Sequence, residues 1–211
     1  MKISRISAVV AALIAGAAAS FGQLTAKQVF AEAPQSVFPL LDHDTKLDMI
    51  DYFEGGMSTA SKNAMEGKSR ITAMSPEKLG IAMSEASEYE LCLLPRVSGD
   101  TVVALICTVA TPAPDSRMTV YTGDWGTNIT SQVFSKPALS EWLTEEGQAR
   151  AGEVEGLVPF LLVSYSYDPA SATLTMTNNT GAFLSADVYE LVSPCLKETV
   201  TYRWDGKKFV R

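Results

Sequence analysis

The sequence predicts an α+β protein in which short helices pack on antiparallel β-sheet. Capped stretches with helical spacing occur near residues 25–57 and again near 184–193. Between Ser69 and Thr122 five runs change over to a two-residue period, with turn residues between them. Hairpin signals then occur around Asp168-Pro169 and Asp205-Gly206.

The amino terminus reads as an address. Lys2 and Arg5 precede a small-residue apolar run from Ile6 to Ala19, and small residues stand three and one positions before Gln23. This is the pattern of a secretory signal peptide over residues 1–22, with cleavage expected after Gly22 and Ala19 as the alternative. An acyl anchor needs a cysteine at the cleavage point, and the first cysteine is Cys92. The expected product is an exported, unacylated protein of the periplasm or cell surface, forming a single α+β domain over 23–211 or two subdomains divided near 145–156.

Thr25 can cap a first helix with Gln28 reaching back, Leu24 can staple to Val29, and Pro34 ends that helix. Thr45-Lys46-Leu47-Asp48 has the form of a second capping box, and Leu47, Ile50, Phe53 and Met57 recur at helical spacing before Gly55-Gly56. The strands expected next cover about 69–74, 78–84, 87–96, 101–110 and 116–122 as a meander, and its middle pair is apolar on both faces. If Gly99-Asp100 forms a two-residue turn, Ser98 faces Thr101 and Cys92 faces Cys107, so a Cys92–Cys107 disulfide is geometrically conceivable. The preferred reading keeps both as free, buried thiols, because each is embedded in Leu, Ile and Val.

Pro137 can open a helix with Leu139, Trp142 and Leu143 on one stripe. Glu145 to Gly156 holds four glutamates, three glycines and no aromatic residue, the composition of a surface loop or a subdomain boundary. A hairpin around Asp168 to Ser171 places Val163, Tyr165 and Tyr167 opposite Met176, Leu174 and Ala172. Ser185 caps a last helix that Pro194 limits. In the terminal hairpin Tyr202 is expected opposite Phe209 and Trp204 opposite Lys207.

Charge and motif arguments narrow the function. Without its first 22 residues the chain carries 15 basic and 24 acidic side chains, a net of -9, which disfavours binding to phosphate backbones. Beyond the amino terminus the longest apolar stretch, Val102 to Ala110, is about half of what a spanning helix needs. With His43 as the only histidine, no His-rich metal motif can form, and the three cysteines show no Cys-x-x-Cys pair, so no metal site and no cofactor is expected. An EF-hand loop starting at Asp42 fails at Leu47 and Phe53. Gly55-Gly56 ends a helix rather than opening one, so no phosphate loop is present.

Asp42, Asp44, Asp48, Asp51 and Glu54 read as a solvated, helix-capping face. Trp125, in Asp124-Trp125-Gly126 after a strand, is either a stacking platform for a sugar or partner or, more commonly for such a residue, a ring folded back onto the core. The last 16 residues carry a net of +3, which puts Lys207 and Lys208 at a boundary between an acidic body and a basic hairpin.

Five groups of segments taken together carry a family resemblance: Pro34-Gln35-Ser36; Lys46 to Tyr52; Gly67-Lys68-Ser69-Arg70; Ser116 to Tyr121 with Trp125; and Tyr202 to Phe209. They resemble an uncharacterised exported family of Bacteroidales, the domain of unknown function numbered 3256. The resemblance implies a periplasmic or surface location in an anaerobic bacterium and transfers no functional residue. The function expected is a non-catalytic binding or envelope-interaction module whose partner is another envelope protein or a glycan, with Trp125, Lys207 and Lys208 the first binding candidates. The rival is a carboxylate-dependent glycan hydrolase using Asp48, Asp51 and Asp124.

Overall fold

The computed structural model describes residues 24–211, and the export signal expected over 1–22 lies outside them. The architecture is α+β, two antiparallel sheets with short helices. The first sheet runs β1 (Ser61–Lys62), β2 (Lys68–Met74), β3 (Lys78–Ser84), β4 (Ser87–Pro95), β5 (Thr101–Val109) and β6 (Asp115–Thr122) in sequence order. The second sheet has the order β10-β9-β8-β7, built from β7 (Val163–Asp168), β8 (Thr173–Asn178), β9 (Thr199–Trp204) and β10 (Phe209–Val210).

The middle strands, apolar on both faces over Leu91–Leu94 and Val102–Ile106, explain the layering. On β4 and β5, Leu91, Leu93, Val103 and Leu105 face one way and pack beneath α1 (Ala26–Glu32) and α2 (His43–Glu54), against Val29, Phe30, Phe38 and Met49. Cys92, Leu94, Ala104 and Ile106 face the other way, onto Val163, Tyr165, Leu174 and Met176 of the second sheet. The meander is thus covered on both faces, as a strand pair apolar on both sides requires. Four short helices, α3 (Thr130–Val133), α4 (Leu139–Trp142), α5 (Glu145–Ala149) and α6 (Ala151–Leu157), lead into the second sheet, and α7 (Ala186–Val192) lies between β8 and β9.

Helix caps follow local chemistry. Thr25 and Gln28 form the capping box of α1, and Ser185 caps α7. α2 begins earlier than its expected box, because the Asp42 carboxylate accepts from the backbone N–H of Thr45 at 2.8 Å. Its inner stripe is therefore Lys46, Met49 and Ile50, and Leu47 and Met57 are exposed. Lys46 is only 2% exposed. Its ammonium donates to the carbonyls of Ala31 (2.9 Å) and Ala33 (2.5 Å), closing the carboxy-terminal end of α1, which has no glycine cap. Burial lowers the pKa of this lysine below its ordinary value.

Three hairpin registers differ from expectation. The β4–β5 connection pairs Pro95 with Thr101, leaving a five-residue loop in which Gly99 takes φ +91° and Arg96 and Asp100 bond through their backbones. That shift of three residues puts Cys92 opposite Ala104 and Cys107 opposite Tyr89. An odd shift also moves the two thiols to opposite faces of the sheet, so the Cys92–Cys107 disulfide is not formed, and all three cysteines are free. In the β7–β8 hairpin Tyr165 faces Met176 and Tyr167 faces Leu174, with Ala172 in the loop at φ +52°. The shift is even, so the expected inner face survives. At the end of the chain Trp204 faces Phe209, because the Asp205 carboxylate accepts from both Lys207 and Lys208 N–H at 2.7 Å and enlarges the turn.

The glutamate- and glycine-rich stretch over 145–156, expected as a loop or boundary, forms α5 and α6. Gly147 is there for a close approach: a Cβ on it would lie 2.1 Å from the Cys195 carbonyl oxygen. Beside that contact Leu143, Val154, Val192 and Cys195 gather in a smaller apolar cluster, separate from those on the two faces of the meander.

Candidate functional site

The residues singled out from the sequence do not converge. Asp48 and Asp51 lie exposed on α2. Asp124 is a turn acid: its carboxylate accepts from Thr122 Oγ1 (2.5 Å) and Gly126 N–H (3.0 Å), and these bonds lower its pKa. None of the three lines either groove beside β2 or the acidic cavity beside β4. Trp125 is folded inward at 8% exposure, with its indole N–H donating to the Val29 carbonyl at 3.0 Å and its ring beside Tyr121 and Phe38. The platform reading is thereby corrected, because this ring fastens the β6 turn to α1. Lys207 and Lys208 are exposed at the tip of the β9–β10 hairpin.

The cavities lie elsewhere. A groove of about 420 Å³ is walled by Met49 and Phe53 of α2, by Met57 to Thr59, and by Arg70 to Thr72 of β2. A second, of about 560 Å³, shares Ser58, Thr59 and Arg70 and adds Lys68, Ala82 and Ser84. Strand alternation explains the pair: Ser69 and Ile71 point into the protein, and Lys68, Arg70 and Thr72 point outward. The two grooves therefore adjoin the same strand and share the outward Arg70, the first reaching in to Ile71, Met49 and Phe53 and the second running out along Lys68, Ala82 and Ser84. Among the described residues neither Lys68 nor Arg70 makes an ion pair.

A third cavity, of about 340 Å³, is acidic. Glu85, Glu88 and Glu90 line it with Ser164 and Tyr165. Glu90 is committed there: it pairs with Lys78 at 2.9 Å and accepts from Tyr167 N–H at 3.3 Å. Glu88-Tyr89-Glu90 and Lys68-Ser69-Arg70 each put two like charges two residues apart on a strand, which places them on one face. That spacing was the available signal for these residues. Among the described residues no group of three His, Cys, Asp or Glu side chains is arranged to hold a metal ion, and no helix is long and apolar enough to cross a membrane.

The family model described as Protein of unknown function (DUF3256) matches residues 18–209. The chain belongs to the DUF3256 family. A solved structure similar to this DUF3256 protein, a domain of an uncharacterized protein from Porphyromonas gingivalis W83, is 19% identical with a TM-score of 0.74, covering 88% of this chain and 96% of that one. At that identity the likeness concerns the fold. No curated protein matches the chain.

Proposed function

We propose that this DUF3256 protein is an exported, non-catalytic binding module of the bacterial envelope and that its binding surface is the pair of grooves flanking β2. The observation that carries this reading is the arrangement at β2: two adjoining grooves beside one strand, lined by two cations that have no acidic partner among the described residues. A chain with a net charge of -9 after its first 22 residues has acids to spare, so leaving Arg70 and Lys68 unpaired keeps them available to a ligand. Apolar walls beside a few charged groups are the ordinary makeup of a recognition site. Export, to the periplasm or cell surface, is supported by the amino-terminal pattern, and the partner class is an envelope protein or a glycan.

The test is an amide-shift titration of isotopically labelled residues 23–211 against two probe sets, short synthetic peptides and soluble peptidoglycan fragments. Shifts confined to 56–60 and 68–74 support the reading. Shifts mapping elsewhere, or release of reducing ends from the glycan set, overturn it.

A further inference from the structure

The edges of the two sheets are treated unequally. On β7, the backbone N–H groups of Val163, Tyr165 and Tyr167 donate to Asp115 (2.9 Å), Ser116 (2.9 Å) and Glu90 (3.3 Å), and Lys78 occupies the Tyr167 carbonyl at 2.9 Å. Side chains of the first sheet thus seal that edge. The end of β6 is closed by backbone, with Thr122 N–H bonded to Thr127 and Ile129 N–H to Val120. β2 differs. Its pairing with β1 stops at Ser69, and the chain from Met57 to Ala60, which runs beside the next residues of β2, makes no backbone hydrogen bond to them. Between these two stretches of main chain lie the two grooves.

Main chain of β2 beyond Ser69 that has no backbone partner on this side selects an extended peptide. Successive side chains of a strand point to opposite sides. A guest lying along β2 would therefore place one set against Met49, Phe53 and Met57 and the alternate set against Lys68 and Arg70. The first wall takes apolar groups and the second takes carboxylates; Glu85, at the far end of the outer groove, disfavours further acid there. The register break between Ile71 and Ala73 kinks β2, which limits the matched stretch to a few residues.

We propose that the outer edge of β2 receives a short extended segment of another protein, alternating apolar and acidic residues, as an added strand. Main-chain bonds would supply affinity, and the unlike faces of β2, Ile71 inward and Lys68 with Arg70 outward, would supply specificity. The proposal rests on the binding-module reading above and names the ligand for the same grooves.

The probe is a fluorophore-tagged, amide-capped Val-Glu-Val-Glu-Val-Glu peptide, read by anisotropy with residues 23–211. Three comparison peptides accompany it: Val-Lys-Val-Lys-Val-Lys, the block Val-Val-Val-Glu-Glu-Glu, and the parent N-methylated at alternate residues. Saturable binding of the parent is expected, with at least tenfold weaker binding of all three others. Arg70→Glu should weaken the parent at least tenfold and improve the lysine peptide, a reversal that simple misfolding cannot produce. Equal binding of the block peptide or of the N-methylated peptide would overturn strand addition, as would an Arg70→Glu protein that treats both charges as before. If peptides fail but peptidoglycan fragments shift 56–60 and 68–74, the strand proposal falls and the binding module stands; if neither probe set shifts them, both fall.

Discussion

Trp125→Phe tests whether this ring is a structural fastener. The substitution deletes one buried donor, the indole N–H that bonds the Val29 carbonyl at 3.0 Å, and shrinks a ring that meets Tyr121 at 5.3 Å and Phe38 at 6.2 Å between centroids. Val29 lies in the last turn of α1, where its carbonyl has no helical partner. Leaving that carbonyl unpaired costs about 1–3 kcal/mol. The space vacated by the smaller ring adds roughly 1 kcal/mol, a fraction of the loss for removing a whole aromatic side chain. Position 125 keeps φ +63° in either protein, so strain in the left-handed region cancels. The sum, about 2–4 kcal/mol, should lower the urea midpoint by about 1–2 M at an unchanged slope of roughly 2 kcal/mol per M. The assay is equilibrium unfolding of residues 23–211 followed by far-ultraviolet circular dichroism. A midpoint within about 0.2 M of the parent, less than the smallest hydrogen-bond cost allows, would refute the fastener and return Trp125 to the surface.

Four further outcomes are expected. Because burial lowers the pKa of Lys46 from its ordinary 10.5, the unfolded chain binds more protons below that value, so stability should rise with pH from the depressed pKa toward 10.5; Lys46→Met should flatten that slope in urea unfolding at stepped pH. Burial pushes Tyr165 and Tyr167 up to about 12, so the folded state holds their protons longer and stability should fall between pH 10 and 12 in the parent and in Lys46→Met alike, read by the same unfolding series. Gly147→Ala, whose Cβ would strike the Cys195 carbonyl, should cost about 3 kcal/mol, whereas Gly152→Ala, facing open space, should be neutral or stabilising by up to about 1 kcal/mol, both read as midpoint shifts. In denaturant the protein should titrate three free thiols with or without reductant, and a count of one would contradict the β4–β5 register.

What the sequence made legible was local. A Thr25–Gln28 box and a Ser185 cap are satisfied within four residues, and both appear in the structure. The five meander strands fall within one residue of their expected bounds, because alternation and turn residues mark them without reference to the rest of the chain. Registers were less legible, because loops of four or five residues were closed by particular carboxylates and positive-φ residues: Gly99, Ala172 and the Asp205 turn. An even shift at β7–β8 left the core unchanged, whereas the odd shift at β4–β5 separated two cysteines onto different faces. The burial of Lys46 and of Gly147 was illegible for one shared reason. A lysine in an acidic stretch and a glycine in a glutamate-rich stretch have the composition of a surface, and only distant partners, the carbonyls of Ala31, Ala33 and Cys195, draw them inside.

The candidate site followed a similar logic with a different outcome. Aspartates are a weak signal because 24 acids make some cluster certain in any acidic chain, whereas Lys68 and Arg70 are set apart by lining the grooves beside β2. Lys68 and Arg70 also have a second consequence. An exposed strand edge invites copies of the same protein to pair, and cations along the edge are one way to deter this. Two β2 edges approaching each other would set Lys68 and Arg70 against the same residues of the second copy, while an incoming acidic strand would meet opposite charge. The charges that keep the edge from pairing with itself are therefore the ones that would admit a partner, so Lys68→Glu with Arg70→Glu should abolish binding of the acidic peptide and admit basic strands, while two copies of the edge still repel each other.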